Sequence, residues 1–341
     1  MKKFLRYVIS VSAPVVLLIF AVNYYVHPDY VYKCDIMDIV VSKAKYRLNT
    51  TNIDTNLDER LFKKKYLELY HDKDIDYLIL GSSRFMTVSS EAVKGKTVLN
   101  LAISGARLED LIAIYQASLD NKIHAKNVIV GVDPLFFNPN YGGRWWKTIA
   151  EYYYEFTNTS YDGGYNKLCN RIFSIDYFRL AILAIEERKK EKNKIIFTRD
   201  YKNEGFTRRF DGSVYYPRSF CERKVEIVDD FAKTKNDEEY NFEPLSSLTT
   251  NLFESLIDCI QSHNSTIIFV CCPYHPMFYH RIEKYKCILD SYFYTKELAT
   301  RKNIMIIGNY NPEVAGFRNK DFYDEVHPKK ESLDEIINKH L

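Results

Sequence analysis

The chain has 341 residues, 46% hydrophobic and 27% charged, which fits a globular protein and excludes a disordered or fibrous one. The net charge of +3 comes entirely from Lys2, Lys3 and Arg6, which leaves 45 basic against 45 acidic residues. That balance gives no support for nucleic-acid binding, which needs a phosphate-neutralising excess of Lys and Arg, so nucleic acid is not expected as a partner.

Residues 7–26 carry no charged side chain. Twenty helical residues span roughly 30 Å, the thickness of a bilayer's hydrocarbon. The run ends Asn23-Tyr24-Tyr25-Val26-His27-Pro28, without a small-x-small cleavage site. It is therefore expected to be an uncleaved transmembrane signal anchor. The basic residues before it predict a cytoplasmic N-terminus and an extracytoplasmic remainder, a single-pass arrangement with the membrane as partner. One span also excludes a channel or transporter built by this chain alone.

Residues 27–74 read as a polar stalk leading to a helix near Asp58–His71. The main domain follows over 75–341. Short apolar runs at 76–80, 97–101, 127–132, 266–270 and 303–307 are expected strands. Leu108, Leu111, Ile112 and Tyr115 have helical spacing, and helical patterns cover 245–262 and 280–301. Continuous apolar strands alternating with helices predict a doubly wound, flavodoxin-like three-layer α/β/α fold with a five-stranded parallel sheet. Residues 134–240 break the alternation and are expected to form an inserted cap, with a helix at Ile175–Lys192.

The seven cysteines show no regular spacing. Export permits disulfides, but an odd number leaves at least one thiol unpaired. Cys272-x-x-His275 with His280 nearby suggests zinc but lacks a fourth ligand. No metal and no cofactor is expected.

Ligands of an open parallel sheet bind beyond the carboxyl ends of its strands. The residues there are Gly81-Ser82-Ser83-Arg84, then Ser104-Gly105, Asp133-Pro134, Pro273-Tyr274-His275-Pro276 and Asp324-Glu325-Val326-His327. A serine needs a base to become a nucleophile, and His327 can serve. The base needs an orienting carboxylate, which Asp324 supplies. The Ser83 and Gly105 N–H groups can then form an oxyanion hole. Each motif alone has an ordinary reading: a helix cap, a turn glycine, a solvated ion pair. Their order after successive strands is what points to a site.

These blocks resemble those of the SGNH (GDSL-like) hydrolases. Gly81-Ser82-Ser83 takes the place of Gly-Asp-Ser, with the nucleophile at Ser83. Asn100-Leu101-Ala102-Ile103-Ser104-Gly105 stands for Asn-x-Gly-x-x-Gly, with the oxyanion glycine at Gly105, and Gly131-Val132-Asp133 stands for Gly-x-Asn. Asp324 and His327 match Asp-x-x-His. A carboxylate at Asp133 replaces the family's amide donor to the oxyanion. The single anchor looks most like the membrane-attached branch, whose members include proteins of alginate O-acetylation and teichoic acid D-alanylation. The resemblance implies a serine-dependent esterase or O-acyltransferase acting on an envelope or exported glycan. A polytopic membrane acyltransferase is its implied partner. The alternative is a non-catalytic accessory protein of envelope polysaccharide assembly that keeps the fold.

Pocket candidates are Ser82, Arg84, Asn100, Asp133 and His275. Arg84 either binds an anionic substrate or pairs with an acid. His275 either lines the pocket or is structural. Trp145, Trp146 and Tyr152–Tyr154 either stack on sugar rings or pack the cap.

Overall fold

The computed structural model describes residues 2–26, 31–52, 58–143, 145–160, 173–175, 178–179, 181–182, 195–202, 204–243 and 245–341. The expected helix at Ile175–Lys192 lies largely outside the described residues, as does Cys169.

Among the described residues nine strands form two sheets. In chain order they are β1 (Asn49–Thr51), β2 (Asp74–Leu80), β3 (Val98–Asn100), β4 (His124–Val132), β5 (Ile196–Thr198), β6 (Thr207–Arg208), β7 (Val214–Tyr215), β8 (Thr266–Cys271) and β9 (Met305–Gly308). The larger sheet runs β3-β2-β4-β8-β9, and every pairing in it is parallel. The chain is thus α/β with a five-stranded parallel sheet, built from the five apolar runs. The order reverses at β2, which places a topological switch point between β2 and its neighbours.

Alternate side chains of each strand enter different cores. Leu78, Leu80, Val128, Val130, Ile267 and Phe269 pack with Leu111, Phe253 and Ile288. Those three come from helices Leu108–Asp120, Ser247–Ser262 and Lys286–Lys302. On the other face, Ile79, Ile129 and Ile268 meet Phe85, Val88, Leu333 and Ile337. That face is covered by the C-terminal helix Lys330–Asn338 and by the turn-rich segment after β2. The helical pattern over 280–301 resolves into two helices, Pro276–Ile282 and Lys286–Lys302.

The second sheet was not expected. It is antiparallel, in the order β5-β1-β6-β7, and joins a strand from 27–74 to three from the insert. The two helices of the expected stalk region are also part of the main body. Met37, Val40 and Ala44 of helix Val31–Ala44, and Phe62, Tyr66 and Leu67 of helix Glu59–Leu69, belong to the larger core. Asp58 caps the second of these helices, accepting from Arg60 N at 3.0 Å and Leu61 N at 3.4 Å.

The first 25-residue helix, Lys2–Val26, contains Pro14. Among the described residues no helix is long and apolar enough to cross a membrane, and several side chains of Lys2–Val26 lie outside that set. Val15, Leu17, Leu18 and Tyr25 of this helix are exposed.

Candidate active site

β2 ends at Leu80, and the chain turns through Gly81 and Ser82 into a short 3₁₀ turn, Ser83–Phe85. Two glycines make that turn possible. A Cβ on Gly81 would meet Phe85 Cδ2 at 2.8 Å, and one on Gly131 would lie 2.2 Å from Phe85 Cδ2 and Cε2. The fully buried Phe85 is therefore seated on bare backbone of β2 and β4, which fixes the serine two residues before it.

The half-buried Ser83 hydroxyl lies 2.8 Å from His327 Nε2. On the far side of the ring, Nδ1 lies 2.9 and 2.8 Å from the two oxygens of Asp324. Asp324 Oδ1 also accepts from the backbone N–H of Val326 at 3.0 Å and of His327 at 2.8 Å. Burial raises the Asp324 pKa, but His327 and these donors outweigh it and bring the value down to about 2. An ionised Asp324 holds the proton on Nδ1, which leaves Nε2 to accept from Ser83. The acid–base loop closes on itself: Tyr323 N donates to His327 O at 2.9 Å, and Phe322 bridges to Pro328.

The loop carrying Gly105 continues the β2–β3 pairing. Leu101 N donates to Ile79 O at 2.9 Å and Ile103 N to Gly81 O at 3.0 Å. Gly105 is two residues beyond Ile103, and Ser83 is two beyond Gly81, so both follow from one paired register. Gly105 has φ +59, and a Cβ there would meet nothing within 4 Å. The glycine is required by the left-handed backbone, not by a close approach. Neither Ser83 N–H nor Gly105 N–H donates to another described residue.

The remaining candidates divide. Ser82 is buried and its hydroxyl lies 3.4 Å from Asp133 Oδ2, not on His327. Asp133 also faces Arg84 Nη1 at 3.4 Å, Tyr274 Oη at 3.4 Å and the N–H of Leu135 at 3.2 Å. It accepts from these four groups and caps the turn Pro134–Phe137. Arg84 takes the pairing role. It donates to the carbonyls of Val326 at 3.0 Å, Cys272 at 2.5 Å and Pro273 at 2.7 Å, and stacks on Tyr274 at 3.9 Å. One buried guanidinium thus joins the loops after β2, β4, β8 and β9. Asn100 is structural, its amide donating to the carbonyls of Phe85 at 2.8 Å and Val88 at 2.7 Å. His275 is fully buried, which lowers its pKa. Its Nδ1 accepts from Met277 N at 3.3 Å, and its Nε2 faces Asp229 at 3.1 Å, off the line of a good hydrogen bond.

The pattern of the sequence did not reveal several supporting groups. Arg60 binds Asp110 at 2.7 and 3.0 Å in a buried pair and reaches the Gly105 carbonyl at 3.4 Å. Tyr216 presents its ring edge-on to His327, with centroids 6.1 Å apart. Lys235 pairs with Glu325 at 3.0 Å, bracing the acid–base loop from the insert. Trp146 packs on Tyr153 and Tyr154, and Trp145 is exposed. Among the described residues no cluster of three or more His, Cys, Asp or Glu is arranged to hold a metal, and Cys221, Cys259, Cys271, Cys272 and Cys287 are free thiols.

No protein-family model and no curated protein matches this chain.

Proposed function

We propose that the chain is a membrane-anchored, extracytoplasmic acyl-ester enzyme of the SGNH (GDSL-like) kind, an O-acyltransferase or esterase working through an acyl-serine. The observation that carries this is the 2.8 Å contact of Ser83 Oγ with His327 Nε2, backed by Asp324 on Nδ1. As Ser83 Oγ attacks an ester carbonyl, His327 takes its proton and Asp324 stabilises the imidazolium. The Ser83 and Gly105 N–H groups receive the oxyanion. Collapse expels the alcohol with the proton from His327 and leaves Ser83 acylated. A glycan hydroxyl or water, deprotonated by His327, then takes the acyl group and restores the serine.

The flavodoxin-like reading is supported by the strand order and by helices on both faces of the sheet. Asp133 is drawn to Arg84, so its carboxylate is balanced by a cation where the family has an amide. The uncharged run 7–26, the basic residues before it and the exposed apolar side chains of the first helix favour an anchor. A hydrogen-bonded triad is the observation that favours an enzyme over an accessory protein. The test is labelling by a serine-reactive fluorophosphonate. Ser83 is the expected adduct, lost in Ser83→Ala and strongly reduced in His327→Ala. A well-folded chain that takes no label at Ser83 rules the reading out.

A further inference from the structure

A cavity lies at the edge of the main sheet opposite the triad. It has a volume of about 720 Å³ and includes Asp74 and Ile75 at the start of β2 and Val98 at the start of β3. Ser83 follows the other end of β2, about 20 Å away along a seven-residue strand. The cavity is therefore distinct from the triad, and its size is that of a small-molecule site.

Its lining is divided by chemistry. Lys45, Arg47, Lys73 and Lys96 stand at the exposed rim. None of the four is ion-paired with a described carboxylate. The two acids present do not balance them. Four cations face two carboxylates, and one of these, Asp211, is buried and accepts from Ser213 N at 3.0 Å and Ser90 N at 3.4 Å. The floor is apolar and aromatic: Leu69, Tyr70, Ile75, Val98 and Phe210. Arg47 joins rim to floor, with its guanidinium 5.5 Å from the Phe210 ring centre. Arg47 also holds φ 58, a left-handed backbone that is strained for a non-glycine residue. Strain of this kind concentrates at ligand clamps.

A cationic rim over an aromatic floor matches an anion that carries a ring or other apolar portion. We propose that this cavity binds a phosphate-bearing ligand, with the phosphate among Lys45, Arg47, Lys73 and Lys96 and the apolar portion on Phe210 and Tyr70. The phosphate comes either from a soluble ester or from a lipid headgroup. Lysine and arginine both recognise phosphate, and arginine does so bidentately.

The test uses the full chain in detergent, titrated calorimetrically with phenyl phosphate and with inorganic phosphate. Saturable binding of phenyl phosphate is expected, with inorganic phosphate about tenfold weaker for want of the ring. The exposed double variant Lys45→Gln/Lys96→Gln should weaken phenyl phosphate by about tenfold while its melting temperature stays put. In the second arm, the reconstituted chain is titrated with soluble phosphatidylglycerol carrying short acyl chains, against phosphatidylcholine. Preference for phosphatidylglycerol that the double variant loses identifies a headgroup, and phenyl phosphate binding alone identifies a soluble ester. The proposal is overturned if neither anion binds, or if the double variant binds both as the parent does.

Discussion

At the scale of single residues, the triad should behave as a unit. Ser83→Ala and His327→Ala are each expected to reduce acyl transfer by several orders of magnitude, and the double variant by little more. Asp324→Ala should cost less, because that carboxylate orients and stabilises without reacting. Ser82→Ala is the control. Its hydroxyl faces Asp133 and not His327, so turnover of an activated ester should stay near the parent's. Turnover lost in Ser82→Ala and kept in Ser83→Ala would reverse the assignment. Acid stability gives a second readout. Asp324 has its pKa held at about 2 against 3.8 for a free aspartate, so it contributes stability that is whole above pH 4 and lost as pH falls through about 2. The contribution is about 2 kcal/mol, and Asp324→Asn should flatten the stability curve across that window in urea melts at stepped pH. Gly131→Ala tests the seat of the nucleophile turn. The added methyl collides with Phe85, so roughly 1–3 kcal/mol of stability should go, and serine labelling with it. Unchanged labelling in Gly131→Ala would separate Phe85 from the site.

At the scale of elements, the parallel sheet was legible because its central strands β2, β4 and β8 end in runs buried on both faces, which read as unbroken apolar stretches. The antiparallel sheet was not legible. Its strands are two or three residues long, too short for any period to show. The packing of helix Glu59–Leu69 was hidden for a different reason. Glu59, Arg60 and Lys63 are charged, and charged residues read as a solvated face, yet all three are buried. Glu59 binds Arg208 at 2.6 and 3.1 Å, and Lys63 donates to the carbonyls of Asn100 at 2.9 Å and Gly212 at 2.5 Å. Burial lowers the Lys63 pKa to about 8. Lys63→Met should leave two buried carbonyls without a donor and destabilise the chain by about 2–3 kcal/mol. A denaturant midpoint equal to the parent's would show that the lysine does not hold the insert to the sheet. The same logic explains the site candidates. Ser83, Asp324 and His327 were readable because a strand-end rule located them. Arg84 and Asn100 were found by proximity in sequence, but only three-dimensional neighbours show that they tie loops together.

At the scale of the whole molecule, the proposed anchor and exported body make a topological prediction. A reporter active only in the cytoplasm, fused after Leu341, should be silent in cells, and a reporter active only outside should work. The reverse pattern would remove the extracytoplasmic part of the proposal while leaving the triad untouched. The insert and the first 74 residues share a sheet and the buried Glu59–Arg208 ion pair, so they are expected to unfold together. The Glu59–Arg208 pair spans 149 residues and the Asn49–Arg199 hydrogen bond 150, both linking those two regions.

Ser83 and His327, the proposed nucleophile and base, are 244 residues apart in the chain. At a synthesis rate of about 5–20 residues per second, roughly 12–50 s separate the emergence of Ser83 from that of His327. Through that interval the serine is an ordinary alcohol with no base to take its proton. When the base does emerge, it comes in one short stretch with its acid, whose carboxylate accepts from the N–H groups of Val326 and His327 as well as from the ring. The base can therefore be oriented within its own loop before that loop docks, and docking alone completes the triad. A growing chain would thus be inert toward esters until its last loops are in place.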